Sequence, residues 1–297
     1  MMLPNFLCIG APKSGTTSLY DVLKQHKDVF LPKFKEPHFF DSNKSWNKGV
    51  AWYQASYYSK ASHQCVGDFT PTYLSNSLAP GRIQKVLGNQ VKFVVILRNP
   101  IDRAYSHYLH TQRDQHENLS FTEALEEEQQ RMHNYTKEND QIGMIRHAYQ
   151  EQGMYAKQLE RYFKLFDRGQ FYITTFDDFV CKQEQVIKEI CAFLGLQEQE
   201  GMQYVLQSNV SSEARSVALK NLIKKPSIIK KLAKWLVPSF AIRQKLRNYV
   251  QALNNKSIEK KPLSEIDRKN CYQRYFKQEI QSLEDLLSIN LTHWKHD

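Results

Sequence analysis

A short loop at residues 10–18 combines two glycines, one lysine and several hydroxyl side chains directly after an apolar run. Glycine lets a backbone approach an anion closely, and the amide groups that begin a following helix point towards it. The candidate anion-binding residues of this loop are Lys13, Ser14, Gly15, Thr16, Thr17 and Ser18. The lysine precedes the second glycine, so the order differs from that of a Walker A loop. The sequence therefore predicts a phosphate-binding turn of another kind, with an ordinary strand-to-helix turn as the alternative.

A second candidate motif begins where the apolar run 91–97 ends. A nearly continuous apolar run is typical of a strand that is buried on both faces. Arg98 would leave the carboxyl end of that strand, which is the edge at which open α/β sheets bind ligands. Asn99 can cap the helix that follows, and Ser106 then lies two turns into it. A structural salt bridge for Arg98 and a helix-surface hydroxyl for Ser106 are the alternatives, while Arg103 is predicted to be a solvated helix residue.

The elements that must position these motifs alternate along the chain. The β-rich runs are residues 5–9, 64–67, 91–97 and 170–176, with helical apolar patterns between them. This alternation predicts an α/β fold, in which helices flank a P-loop-like parallel sheet and right-handed crossovers join its strands. A capping box at Ser120 and Glu123 opens a helix that is predicted to continue through Arg131. After Gly195 the strand signals stop, and the rest of the chain is predicted to form a helical C-terminal cap.

The sequence also predicts the domain organisation and shows where the excess positive charge lies. We expect one domain over residues 1–297, with an α/β core at 1–200 and the cap at 201–297. Residues 216–261 hold twelve Lys and Arg against one acid, so they account for the net charge of +10. Within them, residues 227–238 place lysines opposite apolar positions at helical spacing. This segment is predicted to be a lid over the sheet, with peripheral contact to an anionic membrane as the alternative.

Composition narrows the class and the location of the protein. The hydrophobic content of 41% and the aromatic content of 12% exclude a disordered or low-complexity chain. The five cysteines are scattered and show no metal-like pairs, which favours buried thiols and a cytoplasmic location. We expect no nucleic-acid partner, and the sequence leaves the oligomeric state open.

The two motifs, in this order, resemble those of the sulfotransferases that use 3′-phosphoadenosine 5′-phosphosulfate (PAPS). Residues 12–17 resemble the loop that binds the 5′-phosphosulfate, and residues 97–107 resemble the motif that holds the 3′-phosphate. Four further segments are similar to the heparan sulfate 3-O-sulfotransferases and their bacterial relatives: residues 35–41, 70–74, 153–159 and 291–294. Order and spacing agree from about residue 5 to residue 196.

The resemblance implies a sulfuryl transfer that needs no metal. Arg98 and Ser106 would bind the 3′-phosphate, Lys13 would stabilise the leaving 5′-phosphate, and Arg215 would close over the donor. PAPS would be the donor and adenosine 3′,5′-bisphosphate (PAP) the product. A glycan or a small metabolite would be the acceptor, through a hydroxyl or an amine, with a lipid head group as the alternative.

The acceptor needs a general base, and two residues of one segment are candidates. Glu36 matches the catalytic glutamate of the 3-O-sulfotransferase branch, and the neighbouring Phe39 and Phe40 could desolvate it. His38 is the rival, because a neutral imidazole suits proton transfer near pH 7. His38 and Asp41 could instead orient Glu36 or the acceptor. For Glu36, the alternative is a solvated loop acid paired with a neighbouring lysine, Lys33 or Lys35.

The predicted acceptor site also includes residues of a second segment. Together with Glu36, His38 and Asp41, the predicted acceptor-binding residues are Asp68 and Tyr73. The heparan sulfate enzymes carry lysine immediately before this segment's Ser-Pro pair, whereas this chain has Phe69 before Thr70-Pro71. The loss of that cation argues against a strongly anionic glycan as the acceptor.

Two other classes of protein remain as alternatives. A P-loop kinase or other nucleotide triphosphatase would need a Walker A Lys-Ser/Thr pair and a Walker B aspartate, and the sequence has neither. A non-catalytic protein that binds anions or membranes through the basic segment would leave Glu36, Arg98 and Ser106 without a role.

Overall fold

The computed structural model describes residues 2–138, 140–204 and 262–296, together with the backbone of Ser212–Ala214 and Asn255–Ser257. The chain forms two compact units, residues 1–207 with 263–297 and residues 208–262. In the second unit, Ser212–Ala214 and Asn255–Ser257 pair as antiparallel strands. The predictions for Arg215 and for residues 227–238 lie outside the described residues, and the division into core and cap stays a prediction.

A five-stranded parallel sheet forms the centre of the first unit. Its strands are β1 (Phe6–Gly10), β2 (Val29–Phe30), β3 (Cys65–Phe69), β4 (Lys92–Leu97) and β5 (Phe171–Thr175). Their spatial order is β2-β3-β1-β4-β5, and each neighbouring pair is parallel. This confirms the predicted α/β fold. The two-residue strand β2 was not predicted, because a run this short has no detectable period.

Helices connect and flank these strands. They are α1 (Thr16–Leu23), α2 (Asn43–Trp46), α3 (Gly49–Tyr57), α4 (Ala79–Leu87), α5 (Pro100–Arg113), α6 (Phe121–Glu126), α7 (Glu128–Glu138), α8 (Gln141–His147), α9 (Tyr155–Phe163), α10 (Phe176–Cys181), α11 (Gln183–Leu194), α12 (Glu265–Cys271) and α13 (Lys277–Leu287). A π-helical turn, Tyr272–Phe276, joins α12 to α13, and Thr292–Trp294 form a short 3₁₀ helix. The described C-terminal residues are thus mainly helical, as predicted. No helix in the described ranges is long and apolar enough to cross a membrane.

The sheet is buried on both faces because its central strands are apolar throughout. Alternate residues of β1 and β4 point to opposite sides. Leu7 and Val95 belong to the core that includes Ile280 of α13, whereas Cys8 and Ile96 belong to the core beneath α1 and α11. Helices therefore cover both faces, which leaves the strand ends and the loops that follow them for ligand binding.

The prediction for Arg103 is wrong, because its side chain is fully buried rather than solvated. Its guanidinium donates to the carbonyl oxygen of Tyr149 and to Oε1 of Gln152, which lies 3.4 Å from Nη1. Arg103 thus ties α5 to the turn before α9. Spacing along α5 could not reveal this, because both partners come from a later part of the chain.

The helix that the capping box opens is shorter than predicted. Ser120 and Glu123 form the box, but α6 ends at Glu126 and α7 begins at Glu128. The Glu128 carboxylate is buried and accepts hydrogen bonds from the backbone amides of residues 150 and 151, at 2.7 and 3.0 Å. These long-range contacts accompany the break in the helix.

The cysteines are unpaired as predicted, and all but Cys181 are buried.

Candidate functional site

The carboxyl ends of β1, β3 and β4 bring three loops together at one edge of the sheet. Beyond β1, the Ala11 amide donates to the carbonyl oxygen of Ile96 at 2.8 Å. Beyond β3, the Thr70 amide donates to the carbonyl oxygen of Cys8 at 3.1 Å. Because neighbouring parallel strands end side by side, motifs far apart in sequence meet at this edge.

The loop after β1 has the geometry of an anion-binding turn. Lys13 has φ +70° and Gly15 has φ +82°, a left-handed conformation that glycine adopts without steric cost. Gly15 precedes α1 and supplies no side-chain cap, so none occupies the amide groups at the start of that helix. The Ser14 hydroxyl oxygen is buried without a hydrogen-bond partner. Such an orphaned hydroxyl beside uncapped amides fits the oxygens of a phosphate group.

Arg98 connects the second motif to this loop. Its Nη1 donates to the carbonyl oxygen of Lys13 at 2.9 Å, and its guanidinium lies over the Phe176 ring at 4.8 Å. The Tyr155 hydroxyl donates to the carbonyl oxygen of Arg98 at 3.0 Å, which fixes the backbone where β4 ends. Two predicted anion-binding residues that are 85 positions apart are therefore in direct contact.

The helix after Arg98 begins as the sequence predicts. The Asn99 side-chain oxygen accepts from the Ile101 amide at 3.0 Å, and Pro100 occupies the first helical position. The Asn99 side-chain amide donates to the carbonyl oxygen of Trp294 at 3.4 Å, so the C-terminal segment supports this cap. Ser106 lies on the same helix and is 9% exposed.

A chain of three titratable side chains forms the second part of the site. His38 Nε2 lies 3.4 Å from Glu36 Oε2, and His38 Nδ1 lies 2.9 Å from Asp41 Oδ2. The Thr72 hydroxyl donates to the same Asp41 oxygen at 2.5 Å. Glu36 and His38 have φ of +63° and +49°, which is uncommon for residues other than glycine. Such backbone strain is concentrated at functional sites.

The charges of Glu36, His38 and Asp41 determine which of these three residues can accept a proton. Burial alone would lower the pKa of His38, but its hydrogen bonds to Asp41 and Glu36 outweigh burial and raise the pKa to about 10. Burial alone would raise the pKa of Glu36, but its hydrogen bond with His38 and the charge of Lys35 leave that pKa lowered. At neutral pH, His38 is therefore an imidazolium between two carboxylates, and Glu36 is ionised.

Lys35 lies between the beginning of α1 and these three titratable side chains. Its Nζ is 2.9 Å from Thr17 Oγ1, 3.4 Å from Thr16 Oγ1 and 3.6 Å from Glu36 Oε1. Of the two lysines considered as partners of Glu36, the structure thus shows Lys35 in contact with it. Sequence reasoning did not include Lys35 among the site residues, although its place directly before Glu36 was an available signal.

Asp68 and Tyr73 lie behind the segment that carries Glu36, and both are fully buried. The Tyr73 hydroxyl accepts from the Phe39 amide at 3.0 Å and donates to Asp68 Oδ2 at 3.1 Å. Tyr53, which sequence reasoning missed, donates to the same oxygen at 2.6 Å. Burial raises the pKa of Asp68 to about 6, although three hydroxyl groups oppose this by hydrogen bonding to it. These residues support the segment that carries Glu36 through hydrogen bonds. Their contact with an acceptor stays a prediction.

The chain is similar to known proteins in both sequence and fold. The sequence matches the family model of the sulfotransferase domain over residues 3–261. It is 32% identical over 196 residues to heparan sulfate glucosamine 3-O-sulfotransferase 3B1 of Mus musculus, covering 65% of this chain and 46% of that protein. Identity to the protein of the same name from Homo sapiens is 31% over 196 residues, with the same coverage of 65% and 46%. The chain spans about half the length of the curated relatives it matches.

A solved structure matches along nearly the whole chain. The crystal structure of a sulfotransferase from Alicyclobacillus acidocaldarius aligns with a TM-score of 0.69 and 24% sequence identity, over 99% of both chains. At this level of identity, the match establishes a shared fold.

Proposed function

Because the chain belongs to the sulfotransferase domain family, we propose that it transfers the sulfuryl group of PAPS to an acceptor hydroxyl or amine. Family membership confirms the resemblance that the two motifs indicate. The observation that carries the proposal is the contact between Arg98 and the Lys13 carbonyl oxygen, at 2.9 Å. This contact brings the two predicted donor-binding motifs together at the edge of the sheet.

The residues present fit the two ends of this donor. Ser14, with its unpartnered buried hydroxyl, and the uncapped amides of α1 suit the 5′-phosphosulfate. Lys13 would stabilise the charge on the leaving phosphate. Arg98 and Ser106 would bind the 3′-phosphate, since a guanidinium offers two parallel donors to phosphate oxygens.

The bond changes of the transfer define what the chain must supply. The acceptor oxygen forms a bond to sulfur, the bond from sulfur to the bridging oxygen breaks, and its electron pair stays with the 5′-phosphate. The acceptor loses a proton to a base. The residues therefore have to align three atoms, accept one proton and neutralise charge on the departing oxygen.

We assign the base to Glu36. The support is electrostatic: with a pKa raised to about 10, His38 is already protonated at neutral pH and has no free nitrogen to accept a proton. His38 would instead orient Glu36, held in turn by Asp41 at 2.9 Å. Asp68 and Tyr73 would position this segment from behind.

The proposed acceptor is a glycan or a small metabolite. The curated relatives are named for a glycan acceptor, which supports the first choice. Phe69 favours an acceptor with little negative charge, because it stands where the heparan sulfate enzymes carry a lysine. Transfer from radiolabelled PAPS to a panel of neutral glycans, heparan sulfate oligosaccharides and phenolic metabolites would identify the class.

Binding of PAP tests the donor site without an acceptor. We expect calorimetry to show a dissociation constant in the micromolar range or below, in the presence of a metal chelator. Both anion motifs remain fully engaged by PAP, since it retains the 5′- and 3′-phosphates. No binding of PAP, or tighter binding of ATP with magnesium, would contradict the proposal and favour a kinase.

The pH dependence of the transfer rate distinguishes the two candidate bases. With Glu36 as the base, the rate at saturating substrates should stay nearly constant between about pH 6 and 9, because a carboxyl with a lowered pKa is ionised throughout. With His38 as the base, the rate should instead rise about tenfold per pH unit towards its pKa of about 10. A steady rise over this range would transfer the role to His38.

A further inference from the structure

We propose that Lys35 is a catalytic residue that binds the sulfuryl group during transfer, in a site where position 69 supplies no cation. This inference rests on the proposed function, because it assigns a further residue to the same reaction. The relevant observations are the contacts of Lys35, the packing of Phe69 and the burial of both side chains.

The first observation is the position of the ammonium group. It contacts Thr16 and Thr17, at the beginning of α1, on one side, at 3.4 and 2.9 Å, and Glu36 on the other, at 3.6 Å. A sulfuryl group that passes between the proposed donor-binding residues 10–18 and a base at Glu36 has to move beside this ammonium group. The Lys35 side chain is 18% exposed, so solvent screens its charge only in part.

The second observation is that position 69 cannot provide a cation to the site. Phe69 is 1% exposed, and its ring packs edge-to-face against Phe6 at 6.1 Å and Tyr20 at 5.5 Å. Its side chain thus belongs to the core beneath α1. Lys35 belongs to a different segment, and its ammonium group brings a positive charge to Thr16 and Thr17.

The chemistry of the step shows what this charge does. While the acceptor oxygen bonds to sulfur and the bridging oxygen departs with its electron pair, negative charge is carried by the sulfuryl oxygens and the leaving phosphate. Lys35 stabilises this charge by hydrogen bonding and exchanges no proton, whereas Glu36 takes the proton of the acceptor. Preorganised donors of this kind have their largest effect in the transition state.

A binding comparison tests the inference without any acceptor. PAPS and PAP differ by the sulfuryl group, so the ratio of their dissociation constants reports contacts to that group. In Lys35→Met we expect PAPS affinity to fall roughly tenfold or more while PAP affinity stays near that of the wild type. Lys33→Met is the matched control, because Lys33 is an exposed lysine two positions away, and it should change neither affinity.

Lys35→Arg and the transfer rate complete the experiment. Lys35→Arg keeps the charge and should recover part of the preference for PAPS. With an acceptor from the panel, kcat of Lys35→Met should fall about a hundred- to a thousandfold. Equal loss of PAPS and PAP affinity in Lys35→Met would show that Lys35 only supports the structure of the binding site. Unchanged PAPS affinity together with a normal kcat would show that Lys35 takes no part in the reaction. Either result overturns the inference, whereas failure of the wild type to bind PAP would refute the proposed function itself.

Discussion

Replacing Glu36 with glutamine is expected to lower kcat by about a hundred- to ten-thousandfold, the usual contribution of a general base. The amide keeps the size and shape of the carboxylate but cannot accept the proton of the acceptor. PAP affinity should barely change, because Glu36 contacts Lys35 and His38 rather than the loop after β1. Steady-state transfer from PAPS and calorimetry with PAP give the two readouts.

The control for this experiment is His38→Ala under the same conditions. If His38 orients Glu36, its loss should reduce kcat by less than the Glu36→Gln change does. A large loss in His38→Ala with near-normal activity in Glu36→Gln would assign the base to the histidine. Loss of PAP binding in Glu36→Gln would instead show that Glu36 supports the fold of the donor site.

The Lys13→Ala variant should reduce kcat by about a hundred- to a thousandfold, because the cation proposed to stabilise the departing phosphate is then missing. Lys13 has φ +70°, a backbone conformation that is strained for residues other than glycine. Alanine is strained there to a similar degree, so the substitution adds no backbone strain of its own. The rate of PAPS-dependent transfer at saturating donor measures the effect. A rate equal to that of the wild type would remove Lys13 from the mechanism.

Arg98→Ala provides the contrasting variant. Its main effect should be a loss of PAP affinity of about ten- to a hundredfold, because a charged donor to phosphate is removed. A secondary effect is expected on the loop, since Nη1 of Arg98 also holds the Lys13 carbonyl oxygen. If Arg98→Ala binds PAP as the wild type does, the 3′-phosphate is bound elsewhere.

Much of the site could be predicted because its parts are local in sequence. A strand followed by a hydroxyl-rich turn and a helix indicates a candidate anion site within a few residues, and an arginine at the end of an apolar run lies at the edge of a parallel sheet. The cap at Asn99 was likewise readable from two adjacent residues. Adjacent residues alone are enough to predict each of these features from the sequence.

The sequence by itself thus determined the parallel α/β sheet, and it placed the two candidate anion motifs and the segment that carries Glu36 and His38. Only the tertiary structure decided how these residues are charged and what surrounds them. It placed Lys35 between the beginning of α1 and Glu36, buried Arg103 and Asp68, and set His38 between two carboxylates. The physical reason is that burial and electrostatic environment depend on side chains that folding brings from distant positions, which local spacing does not encode.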